Sequence, residues 1–329
     1  MGKIELAIKF GSNEIIIYRK GLGIVARQSS YVATLKAKPN GKIFAYGDEA
    51  KRLCNVKGAQ YQLHQPIQGI DIVNTKLAQA LINNVIDKSI FENGSICAIV
   101  AVPCALTEKK LLELKVLLHN AGIGKITFVQ NAVCVRANLD IDDAAEIMIV
   151  DMGKFLIDVS VLSRYKFCSG RNYLIGGAEM DNALATYIED NYGVMVSIEQ
   201  AEKIKDEIAS MYEQDMYTYT FEGVDQNEEY KTITIRANEA RVAVVGVYEK
   251  IFDLIEEVLE QLPSQTIADI KINGVVFTGG VSSIIGLTEY ASKRLNLPVK
   301  VMDNPKDAVI LGAGRLLSLN KEDYPHIEL

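Results

Sequence analysis

The sequence predicts a duplicated α/β fold, and three observations carry that prediction. Ile8-Lys9-Phe10-Gly11 followed by Ile15-Ile16-Ile17 resembles Val150-Asp151-Met152-Gly153 followed by Ile157-Asp158-Val159. Each is a strand, a glycine turn and a second strand. Each also opens a half of the chain in which strands come first and helices then alternate with strands, the order of an α/β architecture. Finally, 329 residues, 49% apolar, are enough for two domains with full cores and no disulfide. In such a duplication the hairpins face each other across a cleft, where the N–H groups of their turns can bind phosphate.

The elements follow from periodicity. In the first half, Ile4 to Phe10 alternates with a period of two and Ile15 to Tyr18 is continuously apolar, both strands. Ile24 to Leu35 and Ile43 to Tyr46 are strand-like, with Lys38-Pro39-Asn40-Gly41 as the turn between them. Asp48 to Leu53 and Thr75 to Ile86 have helical spacing, and Ile96 to Val102 is a strand ended by Pro103. Thr107 is placed to cap a helix running to Asn120, and Ile126 to Val129 is a short strand. In the second half, strands cover Ile147 to Met152, Leu156 to Leu162 and Tyr165 to Leu174. Gly176-Gly177 leads into a helix over Glu179 to Asn191, followed by one over Ile198 to Tyr212. Tyr217 to Phe221 and Tyr230 to Ile235 read as a hairpin whose aromatic residues, with Tyr212, cover its core or a subunit contact. A helix spans Asn238 to Leu262, then come strand Val275 to Phe277, helix Leu287 to Leu295, strand Val299 to Met302 and a helix from Lys306 to Leu319.

Composition narrows the function classes. Net charge is −7, so no basic excess exists to neutralise a nucleic-acid backbone. Cys54, Cys97, Cys104, Cys134 and Cys168 lie in apolar stretches without CxxC spacing and read as reduced core thiols of a cytoplasmic protein. With three histidines, none beside a cysteine pair, no zinc site is expected. Charges interrupt the apolar N-terminus, and no apolar run reaches the ~18–20 residues of a membrane span, so neither secretion nor bilayer insertion is expected.

Several segments then occur in a specific order: Phe10-Gly11-Ser12 to Tyr18, Tyr46-Gly47-Asp48-Glu49-Ala50-Lys51, Val102-Pro103 with Thr107-Glu108, and Ile149-Val150-Asp151-Met152-Gly153. After them come Ile175-Gly176-Gly177 with Glu179-Met180-Asp181, Ala201-Glu202 with Ile204-Lys205, Thr278-Gly279-Gly280 with Gly286-Leu287, and Asp303, Pro305, Ala308-Val309, Leu311-Gly312 and Gly314. In this order they resemble the actin superfamily, specifically the bacterial MreB cell-shape proteins, over nearly the whole chain. The resemblance implies an actin-like, duplicated RNase H-like fold with a central nucleotide cleft. Domains would span 1–145 and 146–329, with outer subdomains at about 24–65 and 182–240 and a C-terminal helix returning to the first domain. It implies that Gly11, Ser12, Asn13, Asp151, Gly153, Lys154, Gly177, Glu179, Glu202, Lys205, Gly279, Gly280 and Gly312 lie at the nucleotide, and that Ile90 and Phe91 either insert into a membrane or fold back onto the core.

The departures bear on catalysis. The first loop begins with Lys9 where the family has an aspartate that orders magnesium-bound water. The family's D-I-G-G-G-T-T-E reads Asp151-Met152-Gly153-Lys154-Phe155-Leu156-Ile157-Asp158, and its E-E-P, whose second glutamate positions the attacking water, reads Gln130-Asn131-Ala132. Val281 replaces the third glycine of the adenosine motif. A lysine cannot ligate magnesium, which binds through hard oxygen donors. Asn131 can hold a water but cannot act as a base. Degenerate positions Lys9, Asn131 and Asp151 thus imply weak or no hydrolysis, no assignable metal site, and ATP or ADP held weakly or without magnesium, the lysines supplying charge. The alternative is an empty cleft in which Lys9 and Lys154 pair with Asp151, Asp158 or Glu179. The resemblance implies a cytoplasmic filament subunit acting in cell shape, assembling with itself or an MreB paralogue, on the inner membrane face if Ile90 and Phe91 insert. Alternatives are an active actin-fold ATPase or sugar kinase, and a regulatory pseudo-ATPase scaffold that does not polymerise.

Overall fold

The two halves of the chain build sheets with the same strand order. The structure, a computed structural model, describes residues 2–69, 71–89, 94–139, 146–163 and 166–329; Ile90 and Phe91 lie outside them. In the first half the elements are β1 (Gly2–Phe10), β2 (Glu14–Arg19), β3 (Gly23–Ser29), β4 (Val32–Leu35), β5 (Lys38–Tyr46), α1 (Gly47–Val56), β6 (Tyr61–His64), β7 (Ile67–Gln68), β8 (Asp71–Ile72), α2 (Thr75–Ser89), β9 (Gly94–Val102), α3 (Glu108–Asn120), β10 (Ile123–Gln130) and α4 (Asn131–Arg136). They continue as β11 (Glu146–Met152), β12 (Ile157–Ser163), β13 (Lys166–Tyr173), α5 (Gly177–Tyr192), β14 (Val194–Met195), α6 (Ile198–Ile208), β15 (Thr218–Asp225), β16 (Tyr230–Arg236), α7 (Ala237–Glu260), α8 (Ser264–Asn273), β17 (Val275–Thr278), α9 (Leu287–Leu295), β18 (Val299–Val301) and α10 (Ala308–Leu316).

One sheet runs β3-β2-β1-β9-β10 and the other β13-β12-β11-β17-β18. In both, the first strand pairs in parallel with a later strand reached through helices, Ile8 with Val100 and Val150 with Phe277. The hairpin repeat holds at atomic detail. The Gly11 N–H donates to the Glu14 carbonyl at 3.0 Å, and the Gly153 N–H to the Leu156 carbonyl at 2.9 Å. A Cβ at either glycine would lie within 3 Å of that same oxygen, at 2.7 and 2.9 Å, so both turns exclude any side chain.

The chain forms two compact units, Met1–Ala144 with Ser160–Asn172 and Asp307–Leu329, and Ala145–Val159 with Tyr173–Lys306. In the first, Leu6, Ile8, Ile15, Ile17, Val100 and Phe128 of the sheet pack on Leu77, Leu81 and Leu111 of α2 and α3. Thr107 caps α3 by accepting from the Lys110 N–H, at 3.4 Å. The small sheet β5-β4-β6 carries α1 over Ala33, Ala45 and Ala50. Helix α10 crosses α4 so closely that a Cβ on Gly312 would overlap the Cys134 carbonyl oxygen, and one on Gly314 would lie 2.8 Å from the Tyr18 ring. In the second unit α5, α6 and the sheet β14-β15-β16 enclose Leu184, Ile188, Ile204, Phe221 and Ile235, while α7 lays Tyr248, Ile251 and Phe252 into its own core.

Several expectations are corrected. Lys38-Pro39-Asn40-Gly41 lies within β5 rather than in a turn. Two register shifts accommodate it, and β5 is an edge strand, where proline's missing donor costs no ladder bond. The run Ile24 to Leu35 breaks into β3 and β4. Helix α6 stops at Ile208 rather than Tyr212, because Ser210 bridges to Ile285 and the Met211 N–H donates to the Ile285 carbonyl at 2.8 Å. Only Cys104 and Cys134 are buried; Cys54 and Cys97 are half-buried and Cys168 is exposed. In the hairpin Phe221 is core and Tyr219 packs against it, whereas Tyr212 and Tyr217 point outward.

Two predictions follow from this packing. Gly312→Ala should cost about 3 kcal/mol, the upper range for overpacking a rigid crossing, as read by urea denaturation. The Asp225 carboxylate accepts from Asn227 and Glu229 N–H at 2.8 and 2.9 Å and pairs with Lys231 at 2.7 Å. Lys231 and these amides hold its pKa down, to about 2 from an ordinary 3.8. A folded pKa below the unfolded one adds stability above the unfolded value and loses it as pH falls through the folded one. Asp225→Asn should therefore remove the part of acid destabilisation that falls between those two values, measured by thermal melting across that range.

Candidate functional site

In the first unit the turn after β1 is tied down on three sides. Ser30 donates its hydroxyl to the Gly11 carbonyl at 2.7 Å, Ser12 its own to Gly69 at 3.2 Å, and the Gln65 amide donates to the Ser12 carbonyl at 2.6 Å. Asn13 accepts from the Ser30 N–H through its carbonyl at 2.9 Å. Lys9 is half-buried in β1 opposite Ile16. Asn131 is buried as the first residue of α4, a helix not foreseen from the sequence. Gly312 lies at the crossing of α10 and α4, against Cys134, and that packing accounts for its lack of a side chain.

The second unit gathers more of the expected residues. Asp151, at the end of β11, is buried opposite Thr278. Gly279 follows with φ +86°, a left-handed conformation that admits glycine, and a Cβ there would press on the Met152 carbonyl and the Asp151 carboxylate. The N-terminus of α5 lies against the loop after β11. The Gly177 and Ala178 N–H groups donate to the Gly153 and Lys154 carbonyls at 3.2 and 2.8 Å, and Glu179 accepts from the Gly176 N–H at 2.7 Å. These donors are thus used within the unit, and Glu179 caps its own helix. Ala178 stands where the family pattern has an aspartate.

Around Gly177 four charged side chains converge. Lys205 donates to Asp181 at 2.6 Å; Lys154 donates to Glu202 at 2.7 Å and lies 3.8 Å from the other Asp181 oxygen. Asp181 is fully withdrawn from water, while both lysine side chains are 12% exposed. Burial pushes the Asp181 carboxyl above the usual range, although Lys205 and Lys154 pull it down. A Cβ on Gly177 would sit 3.1 Å from Val281 and 3.4 Å from the Lys205 ammonium; on Gly280 it would meet only the Lys306 side chain, at 3.7 Å. Gly177 is therefore packed closely between Val281 and the ammonium of Lys205, and Lys306 lies against Gly280. Lys154 pairs with Glu202 and Asp181, not with the partners considered from sequence. Asp181, Val281 and Lys306 belong to the cluster and were not assigned to it: Asp181 was legible only as a motif letter, and Lys306 had no local signal.

A sequence profile of the MreB/Mbl protein family matches residues 3–324. The chain belongs to the MreB/Mbl family. It is 26% identical to the cell shape-determining protein Mbl of Bacillus subtilis, over 99% of this chain and 98% of that protein. It is 27% identical to the cell shape-determining protein MreB of Escherichia coli, over 96% and 93%. The structure of MreB5 of Spiroplasma citri bound to AMPPNP superimposes with a TM-score of 0.89 at 22% identity, covering 96% of each chain. A MamK subunit from a double helical filament superimposes with a TM-score of 0.82 at 19% identity, covering 96% of this chain and 99% of that one. The fold is actin-like.

The residues present fit an anion of the nucleotide type better than its metal. Lys154 and Lys205 bring ammonium groups to the cluster, which suit an anion and cannot ligate magnesium. Removing one partner from a buried pair leaves an uncompensated charge. Lys205→Met should therefore cost about 3 kcal/mol, as read by denaturant unfolding. Because burial raises the folded Asp181 pKa, protonation relieves that charge, so the variant should regain stability as pH is lowered.

Proposed function

We propose that this chain is an actin-like filament subunit of the cell-shape kind, which holds adenine nucleotide in its second unit and turns it over weakly or not at all. The observation that carries the filament reading is coverage. Relatives named for determining cell shape match over 99% of this chain and 98% of the relative. MamK, of the same fold, is described as a double helical filament.

Nucleotide binding is supported by the AMPPNP and ADP carried by the MreB5 structures and by the Lys154 and Lys205 ammonium groups beside Gly177. Magnesium, when bound, neutralises charge on a transferring phosphoryl group. Here Lys9 occupies the position of its ordering aspartate and would repel it, and Asn131 replaces the glutamate that positions water. Lys154 and Lys205 instead supply ammonium groups beside Gly177, so binding depends little on metal. Assembly occurs with further copies of the chain or with an active MreB paralogue, in the cytoplasm, and at the inner membrane face if Ile90 and Phe91 insert. Two such side chains supply roughly 1.5–3 kcal/mol each on full burial, enough to anchor a filament of many copies but not one subunit.

The test combines sedimentation, electron microscopy and phosphate release, with and without ATP, magnesium and lipid vesicles. Pelletable filaments are expected, with phosphate release no faster than that of Asp151→Ala. Filaments without turnover lack the timer by which polymer age is normally read, so they should persist after ATP is removed. Brisk magnesium-dependent release abolished by Asp151→Ala would overturn the hydrolysis reading. A chain that stays monomeric at high concentration, with lipid and an active MreB, would favour the regulatory scaffold.

A further inference from the structure

Lys154 stands at the tip of a tight turn, where a lysine ordinarily extends into water. Its ammonium instead folds back onto α6. It donates to Glu202 at 2.7 Å and lies 3.8 Å from Asp181 and 5.9 Å from the centre of the Phe155 ring. The two lysines of the cluster are held differently. Lys205 is bound at 2.6 Å to a carboxylate with no access to water, and moving it would strand that charge. Lys154 is bound to Glu202, whose side chain is 25% exposed and can be hydrated when released. Separating Lys154 from Glu202 is therefore the cheaper motion.

Lys154 and Lys205 both approach Asp181, so an anion with several charges arriving there meets two ammonium groups. Gly177 brings its bare α-carbon to the cluster, and the Lys306 side chain crosses the open face of Gly280. A phosphate chain carries more charge than one carboxylate and accepts more hydrogen bonds from an ammonium, so it competes well for Lys154.

We propose that Lys154 is an exchangeable anion clamp, resting on Glu202 in the free chain and transferring its ammonium to the phosphate chain of a nucleoside polyphosphate on binding. This rests on the nucleotide reading above and adds to it a residue, its resting partner and a competition between that partner and the ligand. No bond is made or broken; one ion pair is exchanged for another. Glu202 acts against the phosphates it faces, so its neutralisation strengthens anion binding rather than weakening it.

The test is isothermal titration calorimetry of the full chain with inorganic tripolyphosphate and with ATP, in excess chelator and again in magnesium. Variants are Lys154→Met, Lys154→Arg and Glu202→Gln, each checked for an unchanged far-ultraviolet spectrum and cooperative melting. Tripolyphosphate lacks the adenosine that Glu202 itself could contact, so it reports the clamp alone. In chelator, Lys154→Met should weaken tripolyphosphate binding about tenfold or more, Lys154→Arg should restore most of it, and Glu202→Gln should tighten it several-fold. The salt dependence of binding should be shallower in Lys154→Met than in the unaltered chain. If ATP binds and Lys154→Met binds tripolyphosphate as well as the unaltered chain, the clamp is wrong and the nucleotide reading stands. If neither the unaltered chain nor Glu202→Gln binds ATP or tripolyphosphate, both fall together.

Discussion

A carboxylate taken wholly out of water must be matched by a cation, and in the second unit Asp181 imposes that requirement. It lies on α5, whose first turn is already bound to the loop carrying Lys154. The matching cation, Lys205, lies on α6, so neutralising Asp181 holds the two helices face to face. Glu202 stands one turn before Lys205 on α6, which brings it within reach of Lys154. The glycines around this cluster, the aliphatic Val281 and the ring of Phe155 fill what remains. Ion pairs in such a place contribute modestly to stability once desolvation is counted, but they fix which groups face one another. The chemistry available around Gly177 follows from that arrangement.

Much of the fold was legible because it rests on local signals. The two hairpins, the cap at Thr107, the apolar strand ending at Pro103 and the β15–β16 ribbon are each specified by residues close in sequence. The misses occur where distant contacts decide. Nothing local separates α4 from the strand before it, since Gln130-Asn131 has no breaker and the helix is six residues long. Helix α8 begins directly after Pro263, which reads as an end and here is also a beginning. Helix α6 ends early through pairing with Ile285, more than seventy residues away.

The site was legible in the same uneven way. Its glycines show in the sequence because a missing side chain is a local fact. The partners of its lysines do not, because an ion pair is made by whichever carboxylate the tertiary structure delivers. Lys154, four residues before Asp158 in sequence, bonds instead to Glu202. Gly312 illustrates the converse: a glycine shared with a nucleotide-binding family is here required by two helices in contact. A motif letter identifies a position, and the reason for the residue at that position has to be found in what touches it.

Helix α10 has a consequence for how the polypeptide acquires its structure. The helix packs against β1, β2 and β9, with Gly314 on the Tyr18 ring, yet more than two hundred residues separate it from β9. Almost the whole second unit lies between them in the chain. On a ribosome, the first sheet therefore emerges long before the helix that covers one of its faces, while the second unit is complete as soon as Lys306 is out. The order of maturation is then inverted relative to the order of synthesis, the later unit consolidating first and the earlier one waiting with apolar surface uncovered. Premature termination after Lys306 would leave that surface bare, a state in which chaperone capture or aggregation outpaces assembly.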